Sequence, residues 1–161
     1  MKINSQNGFT LIELLVVIAI IALLTGIIVT NLVGSRSKAR DAKRVSDIGQ
    51  IQVALELYFD RCKQYPPILV TGANTGCPPG AGISFGSYIS VVPSTPGIPG
   101  EPAKYDYAFD FSSRADYILH TKLENYNDVL KDSLPSIPGT ITASFTCTDP
   151  KTSLDYCVGP K

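Results

Sequence analysis

From Phe9 to Val33 the chain is largely apolar and carries one charge, the carboxylate of Glu13, and this run constrains the fold more than any other feature. About 25 residues of helix rise roughly 37 Å at 1.5 Å per residue, enough to cross a hydrocarbon core of about 30 Å. A secretory signal has a shorter apolar core, about 7 to 15 residues, followed by a small-residue cleavage site. Thr25-Gly26 interrupts the run without an Ala-x-Ala pattern, so the segment is expected to be retained as an anchor. A charge at the centre of a bilayer helix costs roughly 2.5 to 3.5 kcal/mol, so Glu13 is expected to have a partner or a purpose.

The helix is not expected to stop with the apolar run. Beyond Gly34 the pattern turns amphipathic, with Ala42, Val45, Ile48, Gln52, Leu55 and Tyr58 on one face and Ile51 and Phe59 widening it. A continuous helix from Phe9 to about Phe59 would be about 75 Å long, too long for one small globule. Its first half is therefore expected to pack against other copies. Gly26, Gly34 and Gly49 are weak points where bending or melting is expected, with close packing at Gly26 as the alternative. The expected organisation is a leader at 1–8, a transmembrane segment at 9–33, an amphipathic continuation at 34–59 and a small globular domain at 60–161.

Residues 66–103 are rich in Pro and Gly, including Pro66-Pro67, Pro78-Pro79-Gly80 and Pro102, so a long helix is not expected there; Ser84 to Val92 is expected to form a short helix or strand. Tyr105, Tyr107, Phe109 and Phe111 then alternate with polar or small residues, and Tyr117, Leu119, Thr121 and Leu123 alternate with Ile118, His120 and Lys122. The two runs read as an antiparallel hairpin, turning at residues 112–115, whose apolar face covers the helix. A third strand is expected at Asp155–Val158 in preference to Thr140–Thr146, and a helical turn within Asn125–Leu134. The fold class is α+β: a long N-terminal helix packed on a small antiparallel sheet.

Cys62, Cys77, Cys147 and Cys157 form an even set confined to the globular part, which suits an exported domain. Four cysteines allow three pairings; Cys62–Cys77 and Cys147–Cys157 are preferred because each closes a single loop. A zinc site has neither C-x-x-C spacing nor a flanking His in its favour. The lone histidine, His120, falls on the polar face of a strand and reads as an ordinary surface residue, and no nucleotide-binding or metalloprotease motif is present. A catalytic role is therefore not expected. Fourteen basic and fourteen acidic side chains balance, which gives no electrostatic case for nucleic acid.

Gly8-Phe9-Thr10-Leu11-Ile12-Glu13-Leu14-Leu15-Val16-Val17 resembles the processing and assembly signature of type IV pilins and type II secretion pseudopilins. The resemblance implies cleavage between Gly8 and Phe9 by a membrane prepilin peptidase and N-methylation of the new Phe9 amine. It further implies a structural subunit, drawn from the inner membrane by an ATPase-driven assembly platform into a helical homo-oligomeric filament, a pilus or pseudopilus. Glu13 of an incoming subunit would then pair with the Phe9 amine of its neighbour, the alternatives being a pair within one chain or snorkelling to the interface. Ala39-Arg40-Asp41-Ala42-Lys43-Arg44, Ala54-Leu55-Glu56-Leu57-Tyr58 and Tyr65-Pro66 are similar to the helix end of the major-pseudopilin branch. Tyr117-Ile118-Leu119 with Lys122-Leu123-Glu124 is similar to its sheet. That branch binds calcium in a C-terminal loop, for which Asp149, Ser153 and Asp155 would supply oxygens here, although they do not match a ligand pattern residue for residue. A second function class, a monomeric membrane-anchored exported domain presenting the Pro/Gly loop to a ligand, stays open at this stage.

Arg36, Lys38, Arg40, Lys43 and Arg44 follow the apolar run, whereas only Lys2 precedes it. Counted alone, that bias would hold the C-terminal domain in the cytoplasm. The leader's need for a cytoplasm-facing peptidase and the cysteines favour the opposite orientation. The basic cluster then reads as a solvated helix face or as a contact for anionic lipid or acidic neighbours.

Overall fold

In the computed structural model, residues 8–72, 77, 82–97 and 104–160 are described; side chains 27–33 and 151 lie outside that set. Most of the leader, the side chains at the last seven positions of the expected membrane segment, Pro78-Pro79-Gly80 and Pro102 therefore fall outside it. The chain divides into two units at Ser37/Lys38.

Helix α1, Leu11–Cys62, passes through both units as one uninterrupted element. Thr10 caps its start. It ends when Lys63 turns left-handed at φ 54° and donates its amide to the Phe59 carbonyl at 2.7 Å, the bond that closes an αL cap. In the first unit Leu11, Ile12, Leu14, Leu15 and Leu24 stand exposed, so among the described residues nothing in this unit buries their apolar surface. Among the described residues no helix is long and apolar enough to cross a membrane.

In the second unit α1 buries Asp41, Arg44, Ile48, Ile51, Leu55, Tyr58 and Cys62, an alternating 3–4 spacing that keeps one stripe facing inward. Fully burying an Ile or Leu contributes about 1.5–3 kcal/mol, so this stripe supplies much of the docking energy. The expected face is corrected at Ala42, which is exposed, while Asp41 and Arg44 take the inner positions. Gln52 is buried and donates to the Gly159 carbonyl at 2.9 Å. The expected weak points are not breaks, since the helix continues through Gly26, Gly34 and Gly49. A Cβ at Gly49 would meet nothing within 4 Å. Gly49→Ala should therefore stabilise the second unit by about 1 kcal/mol, read as a rise of a few degrees in the midpoint of a thermal melt in detergent.

Strands β1 (Asp106–Phe109), β2 (Tyr117–Lys122) and β3 (Asp155–Val158) form an antiparallel sheet in the order β1-β2-β3. The register sets Asp106 opposite His120 and Cys157 opposite His120 on the other side. Tyr117, Leu119, Tyr156 and Val158 pack with Ile48, Ile51, Leu55 and Tyr58 of α1. The other face is covered too: Ala108, Ile118 and Cys157 pack under Ile141 and Cys147. Thr140–Thr146 contributes only a bridge, Ile141 to Asp110, rather than a strand. Phe111, expected on the apolar face, is instead 82% exposed, because β1 ends at Phe109 and residues 110–114 turn away. Asp110 organises that turn by accepting from the Ser112 amide at 2.9 Å and the Ser113 hydroxyl at 2.6 Å, with Arg114 at φ 51°.

The irregular segments settle into short turns. A 3-10 turn spans Phe85–Ser87 and another spans Asp128–Asp132, the latter capped by Asn127. Gly86 packs so closely on the backbone of Thr71 that a Cβ there would overlap its carbonyl. A short helix α2, Pro150–Ser153, leads into β3. Cys62 is bonded to Cys77 and Cys147 to Cys157, closing loops of sequence separation 15 and 10.

Candidate functional site

Glu13 occupies the first turn of α1 and closes a capping box with Thr10. Its Oε2 accepts from the Thr10 amide at 2.8 Å and the Thr10 hydroxyl at 2.6 Å, while the Glu13 amide faces Thr10 Oγ1 at 3.3 Å. The box supplies a partner for helix-start N–H groups that would otherwise have none, and it places a carboxylate at the positive end of the helix dipole. Glu13 Oε1 accepts no hydrogen bond among the described residues. Gly8 and Phe9 precede the box in exposed, non-helical backbone. A peptidase could therefore reach the Gly8–Phe9 bond without unwinding α1. The sequence reading identified Glu13 but missed Thr10 as its partner; the T-x-x-E spacing was the available signal.

The basic cluster after the apolar run divides in two. Arg44, only 1% exposed, donates from Nη1 to Asp41 at 2.7 Å and to Glu124 at 2.9 Å, and from Nη2 to the Pro96 carbonyl at 2.7 Å. Arg40 binds both oxygens of Glu124, and Lys43 pairs with Asp47 at 3.0 Å. Asp41 in turn accepts from the Glu124 and Asn125 amides and the Asn125 side chain, each at 2.9 Å. A solvated face was the ordinary expectation, and it is wrong for Arg40 and Arg44, which tie α1 to the segment following β2. The hydrogen bond from Arg40, opposed by partial burial and joined by the bond from Arg44, draws the Glu124 carboxyl from 4.5 down to about 2. The unfolded chain then takes up this proton first. Stability is complete above pH 4.5 and is lost as the pH falls towards 2, by roughly 2 kcal/mol for a carboxylate still partly in solvent. Glu124→Gln should flatten that part of an acid-unfolding profile; an unchanged acid limb would exclude this group as its source.

His120 also departs from expectation. It sits on the central strand β2, its Nδ1 2.8 Å from Asp106 of β1 and its Nε2 3.4 Å from Asp155 of β3, with its ring stacked on Phe145 at 5.0 Å. Strand alternation alone puts residue 120 in solvent, because the segment 141–147 that covers this face is remote in sequence.

The calcium candidates are close together but occupied. Asp155 accepts from Thr148 Oγ1 at 2.7 Å besides facing His120, and Ser153 donates to the Asp149 carbonyl at 2.9 Å. Burial pushes the Asp155 carboxyl up, but bonds from Thr148, Ser153 and His120 outweigh it and leave it below its ordinary value. Among the described residues no group of three His, Cys, Asp or Glu could hold a metal ion.

A long helix headed by a processing-type motif and packed on a small antiparallel sheet defines the class of pilin-like filament subunits. Residues 3–29 match the prokaryotic N-terminal methylation motif. The type II secretion system core protein G of Escherichia coli strain K12 is 36% identical over 115 residues, covering 64% of this chain and 79% of that protein. The same protein from Aeromonas hydrophila is 35% identical over 101 residues, 60% of this chain and 71% of its own length. The chain belongs to the type II secretion core protein G family and is a structural subunit of a pilus-like filament. The type IV wide pilus major component PilA4 of Thermus thermophilus is 53% identical over 38 residues, 24% of this chain and 29% of that one. No solved structure matches the chain significantly.

Proposed function

We propose that the mature chain, cut between Gly8 and Phe9 and methylated on the Phe9 amine, waits as a single-pass inner-membrane protein with its globular domain outside the cytoplasm. An ATPase-driven assembly platform then draws it into a filament. One observation carries this reading: an unburied apolar helix is headed by a carboxylate whose Oε2 is held by its own chain and whose Oε1 is uncommitted. Cleavage creates an ammonium one residue before Thr10, and methylation leaves that charge in place. Pairing of Glu13 with the Phe9 amine of a neighbouring copy neutralises both in an apolar setting, and packing against other copies replaces lipid around Leu11 to Leu24. The long-span similarity to core protein G favours a pseudopilus in protein secretion over a surface pilus. The chain acts as a building block without catalysis or a cofactor. Calorimetric titration with calcium is expected to show neither heat nor stabilisation, and a clear transition would overturn that part.

The test is intact mass of the protein extracted from membranes of cells that contain a prepilin peptidase. Loss of Met1 to Gly8 with gain of one methyl group is expected. A full-length, unmethylated chain in assembled filaments would sink the proposal.

A further inference from the structure

Five cations follow the apolar run, and the structure supplies three carboxylates to answer them: Asp41, Asp47 and Glu124 engage Arg40, Lys43 and Arg44. Arg36 and Lys38 are left, both exposed and without a hydrogen-bond or ion-pair partner among the described residues. Lys38 does not stand on an open helix surface. It lines a cleft of about 260 Å³ with Asp41, Asn125, Tyr126 and Asn127. The Asp41 carboxylate there is 2% exposed and already satisfied by Arg44, two amides and the Asn125 side chain, so it does not compete for Lys38. Asn127 uses its side-chain oxygen to cap the Val129 amide, which leaves its NH₂ group as a donor. Tyr126 is 52% exposed at the rim. The cleft thus offers an ammonium, an amide NH₂ and a phenol, a donor set suited to an oxyanion. An amphipathic aromatic residue beside a snorkelling lysine is also what a bilayer interface favours.

We propose that this cleft holds the phosphate of an anionic phospholipid headgroup while the subunit waits unassembled in the bilayer, Lys38 supplying the charge and Tyr126 resting among the headgroups. This rests on the membrane-anchor reading above. The two inferences fit together in sequence, because Lys38 lies five residues after the end of the apolar run. Release from this contact then accompanies extraction into the filament.

The test uses mature full-length protein in nanodiscs of phosphatidylcholine alone or with about one third phosphatidylglycerol. Acylation of each lysine is followed by mass spectrometry, with exposed Lys104 as the internal standard. Lys38 should react about fivefold more slowly, relative to Lys104, in the anionic discs, the effect expected of one basic residue at such a surface. High salt should remove most of that difference, and Tyr126→Ser should weaken it without changing Lys104. An equal Lys38 rate in the two discs overturns the proposal, as does protection that arises only after filaments form, which would assign the cleft to a second copy. Failure to enter either disc would overturn the anchor reading itself, and the headgroup contact with it.

Discussion

Glu13→Val should leave the protein in the membrane fraction at wild-type level but reduce filament yield by at least tenfold. Valine removes the unfavourable charge from the apolar helix, so insertion becomes easier rather than harder. It also removes both Thr10 hydrogen bonds at 2.8 and 2.6 Å and the only carboxylate in the first turn of α1. An N-cap interaction is worth about 0.5–2 kcal/mol, so the start of the helix frays while the rest of α1 stands. On the proposed processing the larger loss falls on assembly: a Phe9 ammonium brought among apolar helices with no counter-charge would cost several kcal/mol per subunit, repeated at every step of growth. Glu13→Asp separates the two effects, because it keeps the charge while shortening its reach, and intermediate yield is expected. Electron microscopy of sheared filaments with immunoblotting of membranes reads both quantities. Wild-type filament yield from Glu13→Val would show that this carboxylate does not set register.

Arg44→Ala should destabilise the globular unit by about 3–5 kcal/mol, the usual cost of stranding a buried charge. Its side chain is among the most completely buried of the described residues, and Asp41 beside it is nearly as closed. Truncation leaves Asp41 without its cation, deprives Glu124 of one of its two arginines and orphans the Pro96 carbonyl. For a domain with roughly 5–15 kcal/mol in total, that is a large fraction, and a thermal melt should fall by about 10–20 °C. Arg44→Lys keeps the charge but lacks the planar fork that reaches Asp41, Glu124 and Pro96 together, so it should recover only part of the loss. A melt within about 2 °C of wild type for Arg44→Ala would show that the network adds nothing net. In the Arg44 variants Arg40 still holds Glu124 below its ordinary value, less strongly than in the parent, so the part of the acid-dependent stability that comes from this carboxylate should shrink rather than vanish.

Much of this architecture was legible from residue patterns because it depends on neighbours close in the chain. The length of α1, the hairpin of β1 and β2 and the strand at Asp155–Val158 follow from 3.6- and 2-residue periodicities, whereas the continuity of α1 through three glycines does not. The errors share a cause. Polarity alone puts Ala42 on the inner face and Arg44 on a solvated one, because it carries no information about a distant partner. Arg44 is buried because Glu124, 80 residues away, meets it there. Phe111 was placed in the sheet because alternation continued past the point where Asp110 turns the chain. His120 was assigned to solvent because one face of a small sheet is commonly wet, whereas here Ile141, Phe145 and Cys147 cover it.

The amino-acid order alone determined that this protein carries a processing motif, a long helix with an apolar start and one acid at its head, and a small sheet in a part of the chain with four cysteines, since each is read from local residue patterns. Only the tertiary structure decided which cations are spent inside the domain and which remain available outside it. Coulombic pairing of buried groups depends on distances of about 3 Å between residues dozens of positions apart, and those distances exist only once the sheet register has brought Glu124 back to the helix.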